Sequence, residues 1–429
     1  MKSREISQHD APHQFEPLLP GEHALASLLE RAHDLTLAAA AAAAVAAPHL
    51  QAQLRGLLRA MNSYYTNRIE GEHTRPRDIE RALKQDFSSD DALARKQRLA
   101  LAHMQTEAAC EAAVTERLAA GEEVVRRLYS SEALLWLHRQ LFEPLEPADL
   151  RLADGSSMTP GNFRQRAVAV GRHEPPTAKA LPLFVARWSE FYGSARRGEA
   201  ALVAIAAAHH RLTWMHPFLD GNGRVARLHT HLLLAASGLT QGLWSPLRGF
   251  ARSEARYKAL LQVADEHRRG SLDGRGNLTE AGLVEWIGYV FDTCIDQARF
   301  MTGMLDVPGM RERIAAALAF EEQTLRLGVR QQALMPLHYM FGSGIELGRA
   351  EFKTLTGLGE RVATELIAAL LRQGFVASDT PYGKLRFAIP LHALRFYFPA
   401  LWPEAEQDAA AAEARPIAGR MGNRRGGAS

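Results

Sequence analysis

The chain has 429 residues, enough for two or three domains with real cores. Hydrophobic residues make up 47% and charged residues 23%, an ordinary soluble composition, and a formal net charge of +3 marks neither a nucleic-acid-coating nor a membrane-surface protein. The two cysteines, Cys110 and Cys294, stand far apart with no CxxC pattern, which excludes a disulfide scaffold or a zinc finger and fits a reducing compartment. The N-terminus lacks an apolar signal core. The longest apolar stretch, residues 35–47, is mostly alanine and falls short of the roughly 20 residues a bilayer requires. A cytoplasmic location with no membrane partner is expected.

Residues 1–20 are polar and irregular, with Pro12, Pro17 and Pro20. From 21 to about 127 the pattern is helical; Pro48 can start a helix and Gly71 can end one. Ser130 and Ser131 precede Glu132 and the periodic run LLWLHRQLF, which predicts a capped amphipathic helix. Residues 154–171 break the pattern: DGSSMTPGN is turn-rich, and FRQRAVAVG is a short β-like run ending in glycine, together a small hairpin. Helices resume at Leu181, Ala200 and Arg224, and again across 253–267 and 283–304. The predicted fold is mainly α, a helical domain with a β-hairpin flap.

From about Gly309 the character changes. A helix near 331–340 precedes ELGRAEFKTLTGLGERVATELIAALLRQG, read as helix, turn at 357–359 and helix, then FVASDTPYGKLRFAIP, two β-like runs about a Tyr-Gly turn. That order predicts a small winged-helix domain. Arg361 at the start of its second helix, with Lys384 and Arg386 on the wing, is placed for DNA phosphates. Between 349 and 386, however, six basic residues face four acidic ones, with Glu360 and Glu365 on the same helix. DNA binding and a protein-contact or homodimer role both stay open. The expected division is an N-terminal helical region over 1–125, a core over 126–304, the winged helix over 309–400, and a disordered Ala-, Gly- and Arg-rich tail over 401–429.

The segment that carries chemistry is MHPFLDGNGRVAR, residues 215–227. Its Asp-Gly-Asn-Gly stretch cannot be helix interior, and it lies between two helical patterns. Successive backbone N–H groups in such a turn converge on an anion, and the following helix adds its positive end. Arg224 and Arg227 sit three apart on one face of that helix. A nest, two fixed charges, a carboxylate and an imidazole are the parts of a phosphate and metal site with an acid–base group beside it. His209, His210, His229 and His231 are not read as a metal cluster, because positions two apart on a helix face different ways. They are read as packing or surface residues.

At these residues the chain resembles the Fic proteins, whose signature H-x-F-x-[DE]-G-N-G-R-x-x-R is met by His216, Phe218, Asp220, Gly221, Asn222, Gly223, Arg224 and Arg227. The likeness extends from about 61 to 291, including the PGNFRQRAVAVG flap. The resemblance implies a protein adenylyltransferase, with ATP as donor and Mg²⁺ held by Asp220. His216 would be the general base toward a target Ser, Thr or Tyr hydroxyl, and Phe218 a core residue beneath the loop. Gly221, Asn222 and Gly223 would wrap the phosphates, Arg224 and Arg227 would bind them, and Tyr257 is a candidate for the base pocket. The flap residues Ala167, Val168, Ala169, Val170 and Gly171 would hold a target segment by strand addition, or the chain's own segment in self-modification. Thr66-x-x-x-Glu70-Gly71 matches the family's inhibitory motif within a helix near 50–71, in which Glu70 would pair with Arg227 and block the γ-phosphate. AMP removal assisted by Glu70, another phosphate-containing donor, and a DNA-binding regulator are the alternatives.

Overall fold

The computed structural model describes residues 9–45, 48–121, 123–171 and 173–401. The expected disordered tail lies, beyond its first residue, outside the described residues.

The first helix, α1 (Glu22–Val45), places Leu28, Ala32, Leu35, Ala39 and Ala42 at three- and four-residue spacing and buries them all. It is followed by α2 (Pro48–Ile69), α3 (Pro76–Leu83), α4 (Asp91–Ala119), α5 (Val124–Leu128) and α6 (Ser131–Phe142). Local chemistry starts two of these. Asp90 accepts a hydrogen bond from Leu93 N at 2.8 Å to cap α4, and Ser130 accepts one from Ala133 N at 3.1 Å to cap α6.

After the flap come α7 (Leu181–Tyr192), α8 (Gly198–Met215), α9 (Asn222–Ala236), α10 (Leu247–Arg252), α11 (Glu254–Asp265) and α12 (Glu280–Met304). Nearly every residue of α8 from Leu202 to Met215 is buried, so this helix is the centre of the bundle. Its run of alanines lets α1, α7, α9 and α12 approach closely. Residues 9–20, irregular in sequence, are tied down: buried Arg211 donates to Pro17 O at 2.8 and 3.1 Å, and Tyr192 Oη donates to Leu18 O at 2.6 Å.

The flap forms less structure than the expected hairpin. Among the described residues of this region, isolated antiparallel bridges join Arg151 to Ser157 and Val170 to His173, the second with backbone groups paired at 3.0 Å in both directions. Its residues are largely exposed, so no apolar face drives a longer ladder.

The C-terminal part runs α13 (Val307–Phe320), α14 (Leu334–Ser343), α15 (Arg349–Thr356), α16 (Glu360–Gln373), β1 (Val376–Ala377), β2 (Arg386–Phe387) and α17 (Leu394–Tyr397). Gly357, at φ +67°, makes the turn between α15 and α16. The antiparallel β1–β2 pair is extended by a bridge from Leu347 to Leu385. This part grips α2 at two points. Gln53 bonds to Phe387 O and accepts from Ile389 N at 3.1 Å, and Tyr65 Oη donates to Leu401 O at 3.1 Å. One continuous hydrophobic core runs from Phe15 to Leu401, so no gap in packing separates the N-terminal helices from the rest.

Candidate active site

The loop between α8 and α9 is built around two backbone positions in the left-handed region. His216 ends α8 at φ +47°, and Gly221 opens α9 at φ +79°. A Cβ on Gly221 would sit 2.4 Å from the Phe142 ring, so both conformation and space demand glycine there. The Asn222 amide closes the turn on itself, accepting from Phe218 N and donating to Phe218 O, both at 2.8 Å. Gly221 N donates to Asp220 Oδ1 at 2.6 Å, and what the turn leaves for an anion is backbone N–H at the start of a 15-residue helix.

Two residues that sequence reading missed hold this loop in place. His138, on α6, stacks on Phe218 with ring centroids 4.0 Å apart. Its Nδ1 accepts from Gly161 N at 2.8 Å, so Nε2 carries the proton and donates to Asp220 O at 3.2 Å. Burial pushes its pKa down to about 4, which keeps the ring neutral and that tautomer fixed. Arg164, 2% exposed, donates to His216 O at 2.8 Å and to Arg166 O at 3.1 Å, and also bonds Pro176 O. It thereby joins the flap to the strained end of α8. The available signals were the histidine in LHRQLF and the arginine in PGNFRQR, but nothing in their spacing says what they face.

The His216 imidazole is held by a hydrogen bond to the Thr213 backbone. Burial first, then the nearby His173 and Arg164, push its pKa down to about 4, so the ring is a neutral base at pH 7. Arg224 lies over the Phe142 ring at 5.1 Å and reaches Asp220 Oδ2 at 3.3 Å. Its buried Nε and Nη1 have no hydrogen-bond partner among the described residues, a donor pair ready for an anion. Asp220 is 43% exposed along its side chain and lines an open cleft of about 560 Å³ with Glu72, Arg95, Arg151, Asp154 and Arg166.

Arg227, 1% exposed, is already engaged. Nε donates to Thr66 Oγ1 at 2.8 Å, and Nη2 donates to Thr66 O at 3.1 Å and to Glu70 Oε1 at 2.6 Å. Burial pushes the Glu70 carboxyl up, but the Arg227 and Arg224 charges outweigh it and hold it below the usual range. The pair crowds the loop: a Cβ on Gly223 would meet Glu70 Oε1 at 2.4 Å. Gly71, at φ +73°, ends α2 in a Schellman turn, with Glu72 N bonded to Asn67 O at 2.8 Å and Gly71 N to Arg68 O at 3.0 Å.

Residues 128–234 match the Fic/DOC family. This segment is a Fic domain. The chain is 30% identical over 145 residues to the Protein adenylyltransferase Fic of Drosophila mojavensis and 31% identical over 134 residues to that of Drosophila ananassae. These matches cover 33% and 31% of this chain but 26% and 24% of those proteins, so the chain spans about a quarter of their length. Among solved structures, a Fic family protein from Desulfovibrio desulfuricans G20 aligns with 89% of this chain and 98% of its own at a TM-score of 0.48 and 16% identity. Fic-1 from C. elegans aligns with 64% of this chain and 71% of its own at 0.44 and 18%.

Around the Fic domain the remaining expected site residues fall in different places. Tyr257 is 2% exposed, among Phe250 and Trp286, and its hydroxyl bonds to His209 Nε2 at 3.0 Å and to Arg227. Packing from α10 and α12 puts it behind Arg227. The flap residues 167–171 lie near the loop through His173, whose Nε2 meets Trp214 O at 2.7 Å. The four histidines face four ways: His209 to Thr230, His210 to Asp265, His229 to Leu128 O, and His231 to Glu107 and Glu111. All four are buried, none at the surface. In the C-terminal part, Arg361 pairs with Glu365 at 3.0 Å, Arg386 with Asp379, and Lys353 with Glu360.

Proposed function

We propose that this chain is a protein adenylyltransferase whose own Glu70 holds it in check. The observation that carries the reading is the signature loop itself, a neutral imidazole beside a backbone nest and an arginine with two unbonded buried nitrogens. The name borne by the Drosophila relatives supports the same reading.

In the proposed reaction ATP lies with its phosphates on the backbone N–H groups of Gly221, Asn222 and Gly223 and against Arg224. His216 takes the proton of a target Ser, Thr or Tyr hydroxyl as that oxygen bonds to the α-phosphorus. The bond from the α-phosphorus to the bridging oxygen breaks, and pyrophosphate leaves with the electron pair. Asp220 suits Mg²⁺, since an exposed carboxylate beside a phosphate site is the setting that cation prefers, and it would neutralise phosphate charge. The flap would seat the target segment, or one of the chain's own in self-modification. Glu70 occupies Arg227, the guanidinium the terminal phosphate needs, so a carboxylate competes with a phosphate for one partner.

The reading is tested with purified protein, Mg²⁺ and α-labelled ATP in a lysate. Glu70→Gly should transfer label to protein, wild type little, and Glu70→Gly/His216→Ala none. Equal labelling by wild type and Glu70→Gly would remove the brake, and label-free reactions throughout would remove the transferase. Release of AMP from a modified target by wild type, lost in Glu70→Gly, would favour the reverse activity. We propose that the C-terminal part is a winged helix that contacts protein rather than DNA, supported by the pairing of Lys353, Arg361 and Arg386 with acids. Cytoplasmic location and a homodimer belong to the same proposal; among the described residues no helix is long and apolar enough to cross a membrane.

A further inference from the structure

A second cluster of polar side chains lies inside the protein where α2, α4 and α9 meet. His103, Glu107 and Glu111 follow one another at four-residue intervals on α4 and share a face. His231, one turn beyond Arg227 on α9, faces them. His231 Nε2 lies 3.3 Å from Glu111 Oε1 and 3.5 Å from Glu107 Oε1, and His103 Nδ1 lies 3.6 Å from Glu107 Oε2. His103 and Glu107 are 1% exposed and His231 3%.

The protein supplies these groups with too few partners. Asn62 Nδ2 donates to Glu107 Oε1 at 2.8 Å, and Arg59 forks onto Glu111 Oε2 at 2.6 and 2.9 Å. Both ring nitrogens of His103 and the facing Glu107 Oε2 have no hydrogen bond among the described residues. Leaving such groups buried and unpaired is costly. Separations of 3.3–3.6 Å are long for hydrogen bonds. The two His231 separations, 3.3 and 3.5 Å, match the edge between two ligands on one cation with bonds of about 2.0–2.2 Å in tetrahedral geometry. Glu107, Glu111 and His231 each offer a ligand atom, all within 4.8 Å of one another. The unpartnered His103 ring stands beside this trio, against Glu107 Oε2.

We propose that Glu107, Glu111 and His231 bind one divalent transition-metal cation, Zn²⁺ by preference, with the unpartnered His103 ring beside it, as a structural rivet between α4 and α9. An imidazole with two carboxylates suits Zn²⁺, whereas Mg²⁺ and Ca²⁺ favour all-oxygen sets. Glu107 and His231 are buried and Glu111 is partly buried between α4 and α9, so the cation holds helices together. The site stands apart from the proposed transfer reaction.

The test uses the tag-free full chain, stripped with a chelator, loaded with Zn²⁺ and passed through gel filtration. Wild type should retain about one equivalent by elemental analysis and melt several degrees higher than the stripped protein. Co²⁺ in place of Zn²⁺ should give the visible d–d bands of a tetrahedral site. Glu107→Gln and His231→Gln should each lose the retained equivalent, while Asp220→Ala keeps it. Wild type that retains no zinc, or zinc retained equally by Glu107→Gln and His231→Gln, would overturn the proposal. If both variants fail to fold, the wild-type stoichiometry and Co²⁺ spectrum decide alone: no retained metal or an octahedral spectrum overturns it.

Discussion

His216 sits at φ +47°, a conformation that a non-glycine residue adopts only when its surroundings hold it there. Arg164 does this by bonding the carbonyl of the same residue. Replacing Arg164 with Met would leave several buried carbonyls unpaired and is expected to cost about 3 kcal/mol in denaturant unfolding. It should also lower kcat in the Glu70→Gly background more than it raises KM, since the imidazole, not the phosphate nest, loses its placement. A variant with unchanged stability would show that Arg164 is not the clamp. The imidazole itself should titrate near pH 4: its neutral form is favoured by burial, so it stays a base well below the ordinary histidine range. Ring NMR signals of His216 that move with a midpoint between 6 and 7 would contradict this.

At the scale of the element, α2 decides whether Arg227 is free. Asn62, Thr66 and Glu70 recur every four residues, so one face of α2 meets Glu107 and Arg227 in turn. Lys258 Nζ bonds the exposed end of the helix at Ile69 O, 3.2 Å away. At the other end, Gln53 is held by the backbone of β2 and the residues just after it. The C-terminal part therefore supports the helix that carries the proposed brake. Gln53→Ala removes two bonds without touching the loop, and label transfer should rise roughly two- to fivefold as α2 loosens. Thr66→Val, which leaves Arg227 Nε without its acceptor, should raise it as well. No change in either variant would mean that Glu70 alone sets the resting state.

For the whole molecule, stability should depend on pH through its buried histidines. His138, His216 and His229 all have pKa values pushed down to about 4 by burial. Each binds its proton in the unfolded chain below about 6.5 but not in the native one, so stability is lost as pH falls from 6.5 toward 4. Tm is expected to drop steadily between pH 7 and pH 5, and His229→Gln should flatten the slope. A flat Tm over that range would show that these rings are not neutral in the folded state. With three basic side chains of the C-terminal part paired to acids, duplex DNA should bind weakly and lose binding with modest salt. Tight, salt-resistant binding would reverse that reading.

By itself the sequence determined the signature loop, the helical class and the caps, because these are local. A glycine at φ +79°, a Schellman glycine at φ +73°, and Asp or Ser ahead of a periodic run act within a few residues of chain. It also named Glu70 and Arg227 as partners, through a family pattern rather than through spacing. Only the tertiary structure brought Arg227 within 2.6 Å of Glu70, 157 positions away. It set Tyr257 against His209 and Arg227, placed His138 and Arg164 against the loop, and gathered His103, Glu107, Glu111 and His231 into one cluster. It also left the flap with isolated bridges instead of a ladder. The physical reason is the same in each case: which face of a helix a side chain occupies follows from periodicity, but what lies across from it depends on how other helices pack.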